Sequence, residues 1–588
     1  MHKYQNICKG AIVILIWNGF SALATVYDSD GSSTNVQSIH DTLAQNGDTI
    51  TLPAGIFTWT QTVNISKNIS IVGVAGQTTI NDQISKTGGS PGAFRCNLPS
   101  GATLFRISGI KFQGTVGPAY TGSLGEISLD GVSAVPNIRI DNCQFNGLYL
   151  RPVVFFGGLW GVIDHCSFTM GPWVGGIDVR HSGWKGIGSY GDNSWADDPH
   201  WGSEQAIFIE DCTFNNFSGA TFVDGDGGMR VVVRYCTIYG SEAGNHGTET
   251  GQRYRSGRTF EFYQNHCDGG PSTFNHNWMI YVRGGSALVW GNYSDRYDSL
   301  VVFADYRLWF QATPWGQADG TNPWDINSPT VFATGVHTGV NSSSVLVTNA
   351  NWQTNQWQGY SIRNITRGTA SSIDSNTSNT IKPDGNPQGS SMIFNTGDSF
   401  EIREVTIVLD QPGRGKGDYI SGGSPAPIGW PHQASEPVHI WGNTLGPNFG
   451  NGNGRPVVYS QGYSVAQDQD WFYSADNSAA LPGYTPYIYP HPLVTNPPPP
   501  SPTPSATVTP SPTATATPAP SPTSPPSPTP ISPSPTPTAT ATATATATPT
   551  PEPTSTPSAT ATATATPTGT PTPRHSPRPH PSHGPVKG

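Results

Sequence analysis

The chain has 588 residues, of which 12% are charged and 10% aromatic, with 68 Gly, 54 Pro and a formal net charge of -10. Low charge with abundant Gly and aromatic side chains suits an extracellular all-β protein rather than a cytosolic enzyme. The acidic balance argues against nucleic acid as a partner, and no apolar run after the N-terminus is long enough to make a transmembrane segment.

Residues 1–24 read as a secretory signal peptide. Lys3 and Lys9 flank its start, Ala11 to Trp17 is apolar, and Ala22-Leu23-Ala24 offers small residues for cleavage. Export places the protein outside the cell or at its surface. Residues 33–46 follow with Val36, Ile39 and Leu43 on one helical face and Ser33 or Thr34 as N-cap. A helix here would cover the open end of a solenoid, which otherwise exposes unpaired strand edges. Strands begin at Thr49 to Gly55 and continue through Val63 to Ile65, Ile69 to Gly73 and Phe105 to Phe112.

A phrase then returns along the chain: Ile140-Asp141-Asn142-Cys143, Ile163-Asp164-His165-Cys166, Ile209-Glu210-Asp211-Cys212 and Val233-Arg234-Tyr235-Cys236. Later copies put Asn in the Cys slot, at Asn265, Asn292 and Asn443. The Cys spacings are 23, 46 and 24, a period near 23 with one doubled interval. Each unit is a short run of β-formers closed by Gly, Asn or Asp, and such a unit buries its face only by stacking on the next. The fold class is therefore all-β, a right-handed parallel β-helix. The alternative is a β-sandwich or a propeller; propeller blades repeat at about 40–50 residues, which favours the β-helix. Six Cys remain after the signal peptide. They read as stacked core thiols, although neighbouring rungs at about 4.8 Å also lie within disulfide reach.

The doubled interval holds a Trp-rich loop, including Trp184, Trp195 and Trp201 close to Arg180. With Arg180, these aromatics are candidates for holding sugar rings. Residues 25–330 make the main β-helix, 331–404 a small inserted β-domain, and 405–494 the β-helix continuation and C-terminal closure. From 495 to 588 the chain is Pro, Thr, Ser and Ala, a disordered spacer or stalk.

The densest chemistry lies between Phe222 and Glu261. If Val223 points inward, Asp224 and Asp226 both point outward, about 6.6–7 Å apart. His246, Glu249, Arg253, Arg255 and Arg258 follow one or two coils later. Two chemistries fit. In β-elimination on a uronate polymer, a cation neutralises the sugar carboxylate and a base removes the C5 proton. Ca²⁺ takes six to eight oxygens, which Asp178, Asp224, Asp226 and Glu249 begin to supply. In glycoside hydrolysis, Asp224 and Asp226 form a pair at inverting separation.

Val162-Ile163-Asp164-His165-Cys166 resembles the Trp-Ile-Asp-His-Cys motif of pectate lyases, which are right-handed parallel β-helices. Arg253-Tyr254-Arg255-Ser256-Gly257-Arg258 followed by Asn265 is similar to that family's Arg-x-Pro-x-x-Arg segment and following Asn, with its Pro missing. Gln45 to Gly55 resembles the opening coil of pectin-lyase-like proteins. The resemblance implies an arginine base at Arg253 or Arg258. It gives His165 no catalytic role, because that motif lies away from the family's groove. The leading expectation is a secreted lyase acting on an acidic polysaccharide. The alternatives are a β-helix glycoside hydrolase and a glycan-binding surface protein or adhesin without activity. The sequence sets no oligomeric state.

Overall fold

The computed structural model describes residues 24–86, 92–114, 124–170, 175–181, 197–215, 221–247, 256–271, 278–304, 331–342, 344–357, 360–383, 392–403, 412–413, 436–452, 454–461, 465, 467–468 and 470–495. Residues 1–23 and those beyond residue 495, where the signal peptide and the disordered tail are expected, lie outside this set. Among the described residues no helix is long and apolar enough to cross a membrane.

Each coil lays down three short strands, and each strand pairs in parallel with its counterpart one coil away. Among the described residues they build a 20-stranded and a 10-stranded sheet, with a separate 6-stranded antiparallel sheet. This is a right-handed parallel β-helix. The 20-stranded sheet makes two of its faces, because Gly125–Asp141 and Arg151–Asp164 run without a break round the corner between them. The first face then continues through Ile177–Arg180, Thr221–Asp226, Glu242–Gly244, Trp278–Val282 and Ser299–Ala304.

The second face carries the repeated phrase in register. Ile140, Ile163, Ile209, Val233, Phe262, Val289 and Ile440 are successive partners, all pointing into the core. After each comes a left-handed residue: Asn142, His165, Asp211, Tyr235, Gln264, Gly291 and Gly442, with φ between 52° and 64°. That turn sends the next side chain inward, which is why a Cys or Asn slot follows it. On the third face Phe112, Phe145, Phe168 and Phe214 stack with centroids 5.1, 4.9 and 4.7 Å apart. Such pairs each add about 0.5–1.5 kcal/mol beyond area burial.

The slot changes chemistry along the axis. Cys143, Cys166, Cys212 and Cys236 are free buried thiols, as are Cys96 and Cys267, and desolvation raises the pKa of Cys143, Cys166 and Cys212 well above the usual thiol value. From Asn265 onward the slot is an amide ladder. Asn265 Oδ1 accepts the Cys236 N–H at 2.9 Å, Asn292 Oδ1 the Asn265 N–H at 3.0 Å, and Asn443 Oδ1 the Asn292 N–H at 3.0 Å. Asn292→Ala should therefore destabilise the protein by about 2–3 kcal/mol, because a buried N–H loses its acceptor. Urea unfolding would measure this. A change below about 0.5 kcal/mol would show that the ladder contributes nothing.

The capping helix is Ser33–Thr42 and its N-cap is Ser32 rather than the expected Ser33 or Thr34. Ser32 Oγ accepts the Asn35 N–H. The helix stops short of residue 46 because Asp48 accepts the backbone N–H groups of Gln45 and Thr25, both at 2.7 Å, drawing the chain into the first coil. Val331–Val336, Leu346–Val347, Ser361–Asn364, Thr369–Asn376, Thr380–Pro383 and Ser399–Arg403 form the antiparallel sheet around a separate core that includes Leu346, Ile362, Ile373, Phe394 and Phe400.

Long interruptions open at one corner, where the first face passes to the second. They run from Arg180 to Ile207, from Gly244 to Thr259, and from Ala304 to Val438. The first explains the doubled Cys interval, which is one coil with a long loop rather than two coils. Residues 484–493 cross the second face. Arg234 donates to the carbonyls of Tyr487 and Ile488 at 2.7 and 2.9 Å, Glu210 accepts the His491 N–H at 2.8 Å, and Tyr484 donates to Glu261.

Candidate active site

The outward side of the first face, beside the corner where the loops open, gathers charge from five coils. Ile177, Val179 and Val223 are core residues, so Asp178, Arg180 and Asp224 point outward by alternation. Gly225 takes the inward position between Asp224 and Asp226, where a Cβ would lie 2.2 Å from the Val179 carbonyl oxygen. Register pairs Asp178 with Asp224, and Arg180 with Asp226.

Arg180 holds two of the acids. Its Nε and Nη2 donate to Asp178 at 3.2 and 2.8 Å, and Nε also lies 3.2 Å from Asp226 Oδ1. Its guanidinium sits 5.5 Å from the Phe156 ring centroid. Burial alone would lower its pKa, but Asp178 and Asp226 outweigh burial and push it further up. Arg151 Nη1 lies 3.4 Å from Asp178 Oδ2, buried and without a hydrogen-bond partner.

The third acid belongs to a different group. His246 Nε2 is 2.9 Å from Asp224 Oδ2, and Arg283 Nη2 is 2.6 Å from His246 Nδ1. A guanidinium carries donors only, so Arg283 donates to Nδ1. Nδ1 therefore holds no proton, Nε2–H donates to Asp224, and the imidazole is neutral. Burial pushes Asp224 up, yet His246 and Arg283 prevail and hold its carboxyl well below the usual range. Arg283 is fixed in turn: its Nε donates to the Asn245 carbonyl at 2.7 Å, and its backbone N–H to Asn245 Oδ1 at 2.8 Å. Its guanidinium lies 5.4 Å from the centroid of Tyr281, which packs against Trp278. Both aromatics are half-buried.

The structure thus brings together Asp178, Arg180, Asp224, Asp226 and His246 from the sequence-derived set. Glu249, Arg253, Arg255, Trp184 and Trp195 lie outside the described residues. Trp201 is half-buried, and its neighbour Gly202 donates to Glu261 at 3.0 Å, which puts it on the second-face side of the loop. Arg258 requires a correction. Its side chain is wholly buried, ion-paired with Glu436, and its Nη2 donates to the Asp197 carbonyl at 3.2 Å. Arg230 on the adjacent coil donates to the carbonyls of Asp198 and Pro199 at 2.7 and 2.9 Å. The two arginines clamp the returning limb of the loop, so Arg258 is an anchor and not a base.

Sequence reasoning missed Arg151, Arg283, Tyr281 and Trp278. Arg283 was within reach, because Val282-Arg283-Gly284-Gly285 closes a first-face strand at the same corner as Asp226-Gly227-Gly228.

The three acids were also expected to ligate Ca²⁺. The donor set does not fit that ion. Each carboxylate already faces a guanidinium or the imidazole N–H, and among the described residues no three His, Cys, Asp or Glu side chains are grouped to hold a metal.

No protein-family model matches the chain, and no curated protein matches it. Among solved structures it is similar to a PL6 family polysaccharide lyase from Pseudopedobacter saltans, with 13% identity and a TM-score of 0.29 over 47% of this chain and 65% of that one. It is also similar to an alginate lyase from Paenibacillus sp., with 12% identity and a TM-score of 0.27 over 48% and 98% of the two chains. The PL6 family alginate lyase AlyGC, in a mutant form, gives 14% identity and a TM-score of 0.27 over 48% and 45%. This chain thus spans less than two thirds of the first of these structures. Likeness at this level carries nothing about chemistry.

Proposed function

We propose that the protein is a polysaccharide lyase that cleaves a uronate-containing glycan by β-elimination on the outward side of the first face. The observation that carries this reading is His246, a neutral imidazole set between Asp224 on Nε2 and Arg283 on Nδ1. Elimination needs a base at C5 and a positive charge at the adjoining carboxylate, and here the two are neighbours. A uronate carboxylate would draw the Arg283 guanidinium off Nδ1. The freed lone pair takes the C5 proton, and Asp224 stabilises the imidazolium that forms. The electron pair of the C5–H bond becomes the C4–C5 double bond as the C4–O bond breaks. The leaving oxygen takes a proton, for which Tyr281 on the same face is the assigned donor. Trp278 and Tyr281 supply apolar ring surface for a sugar.

Hydrolysis by Asp224 and Asp226 fits less well. An inverting pair needs one protonated carboxyl beside one carboxylate, whereas Asp224 is held ionised by His246 and Arg283 despite its burial and Asp226 Oδ1 faces the Arg180 guanidinium at 3.2 Å. The test is to incubate the protein with acidic and neutral polysaccharides and read both unsaturated uronide and new reducing ends. Unsaturated product is expected. Reducing ends without unsaturation would move the assignment to hydrolysis, and tight binding with neither product would leave a glycan-binding protein. Export to the cell exterior belongs to this proposal as well.

A further inference from the structure

Strand pairing on the first face stops short of His246 and Arg283. Glu242–Gly244 and Trp278–Val282 pair at Ala243 with Ile280 and at Gly244 with Tyr281, and the same register carried two residues further sets His246 beside Arg283. Beyond Gly244 the residue that joins the two coils is Asn245. Its backbone N–H donates to the Tyr281 carbonyl at 3.2 Å, and its Oδ1 accepts the Arg283 N–H at 2.8 Å. Its Nδ2 donates to the Gly284 carbonyl at 2.7 Å, and its own carbonyl accepts Arg283 Nε at 2.7 Å. The amide orientation follows from these partners, because a backbone N–H only donates and a carbonyl only accepts. Asn245 is buried, and alternation leaves the next side chain, His246, outward. Gly257, where the corner loop returns toward the second face, makes room for the amide. A Cβ there would lie 2.6 Å from Asn245 Nδ2 and 3.0 Å from its Cβ. The Gly257 N–H donates to the His246 carbonyl at 3.3 Å.

We infer that Asn245 is a positioning residue that aims the Arg283 guanidinium at a uronate carboxylate beside His246. The inference rests on the lyase reading and adds to it the residue that aligns the two coils. Asn245 holds both the backbone and the Nε of Arg283, and it directly precedes the base in the chain. It therefore sets the separation between the proton acceptor and the charge that acidifies C5. Both ends of the amide are needed. An aspartate offers no donor to the Gly284 carbonyl at neutral pH, and a glutamine is one methylene longer than this buried place accepts. The planar guanidinium fork binds both oxygens of a carboxylate only when its plane and distance are right. A misplacement of about 1 Å can cost about 10²-fold. Asn245 touches neither the sugar nor the transferred proton, so its effect on the substrate passes through Arg283.

The experiment compares the native full chain with Asn245→Ala, Gly257→Ala, Arg283→Ala and the Asn245→Ala/Arg283→Ala double variant, on the polyuronate that gives unsaturated product. Asn292→Ala, which breaks a buried hydrogen bond in the Asn ladder of the core, is the control for stability alone. Lost stability lowers the active fraction and hence the apparent kcat, whereas a misplaced guanidinium weakens carboxylate binding and raises KM. Asn245→Ala and Gly257→Ala are each expected to raise KM about tenfold. Asn292→Ala should leave KM within about twofold, and so should Asn245→Ala once Arg283 is already alanine. Gly257→Ala keeps the Asn245 side chain and crowds its amide, so it carries the test if Asn245→Ala does not fold. Native KM in folded Asn245→Ala or Gly257→Ala would overturn the inference while leaving the lyase reading intact. An equal rise in KM with and without Arg283 would do the same. If no polymer gives unsaturated product, the lyase reading falls, and calorimetric titration of the same proteins with a uronate oligosaccharide decides the role of Asn245. Weakening of about tenfold that depends on Arg283 supports it. Binding that Asn245→Ala leaves unchanged, or no binding to the native protein, overturns it.

Discussion

His246→Gln should fold normally and lose elimination activity by about 10²–10⁴-fold in kcat, the range that a positioned proton acceptor contributes. The glutamine amide can still donate to Asp224 but cannot take a proton at neutral pH. The loss should therefore fall on kcat, with KM nearly unchanged, because Arg180 and Arg283 still hold the carboxylate. The side chain is 17% exposed and outside the core, so the stability cost should stay within about 1 kcal/mol. Asp224→Asn makes a second measurement of the same arrangement. It removes the charge that supports the imidazolium and fixes the tautomer, and kcat should again fall at least tenfold. Initial rates of unsaturated product, with urea unfolding as the folding control, would check both. Native kcat in His246→Gln would remove His246 as the base, and the reading with it.

Arg234→Met should cost the fold about 3–5 kcal/mol, as expected when one partner of a buried ion pair is removed. Arg234 and Glu210 are both fully buried, with Arg234 Nε 2.7 Å from Glu210 Oε2. Arg234 also donates to Tyr263 Oη and to the carbonyls of Tyr487 and Ile488. The same change therefore unties the C-terminal segment from the second face and exposes the apolar contact of Phe208, Val232 and Tyr263 with Tyr487 and Leu493. Limited proteolysis should then cut the variant within 484–493 faster than it cuts the native chain. The pH dependence follows from Glu210. Burial raises its pKa even in the presence of Arg234, so its folded pKa lies above its unfolded one. Such a carboxyl favours folding most below its unfolded pKa and loses that contribution as pH rises through its folded pKa. Without Arg234 the upward shift grows. The deficit of the variant should therefore be smallest in acid, near the ordinary carboxylate range, and increase toward neutrality. Double replacement with Glu210→Gln should recover part of the loss, because no buried charge is then left alone. Equal stability of Arg234→Met and native protein at neutral pH would show that the pair is structurally idle.

The sequence was most informative where the physics is local and repeated. Ile163, Cys166 and Phe168 recur at a fixed spacing because each coil must place an apolar side chain in the core, and one slip in register would turn the whole row to solvent. That row announced the fold, the ladder of Cys and Asn slots and the register of the second face. The inward position of Val223, and hence the outward one of Asp224 and Asp226, followed from the same alternation. The helix stopped short of residue 46 because the fold of Asp48 onto Thr25 and Gln45, rather than helical propensity, set where the chain leaves the helix.

Which charges meet was decided by the tertiary structure alone. Arg283 reaches His246 across 37 positions, and Arg258 reaches Glu436 across 178. Neither separation follows from a period near 23, because the loops inserted at the corner change the residue count of each coil without changing its rise. The same insertions carried Arg258 under the returning loop, where burial and an ion pair make it an anchor, and left His246 on the open face beside Asp224. An outward side chain carries no packing constraint that would mark it in sequence, so its chemistry was set by the neighbours that stacking delivered.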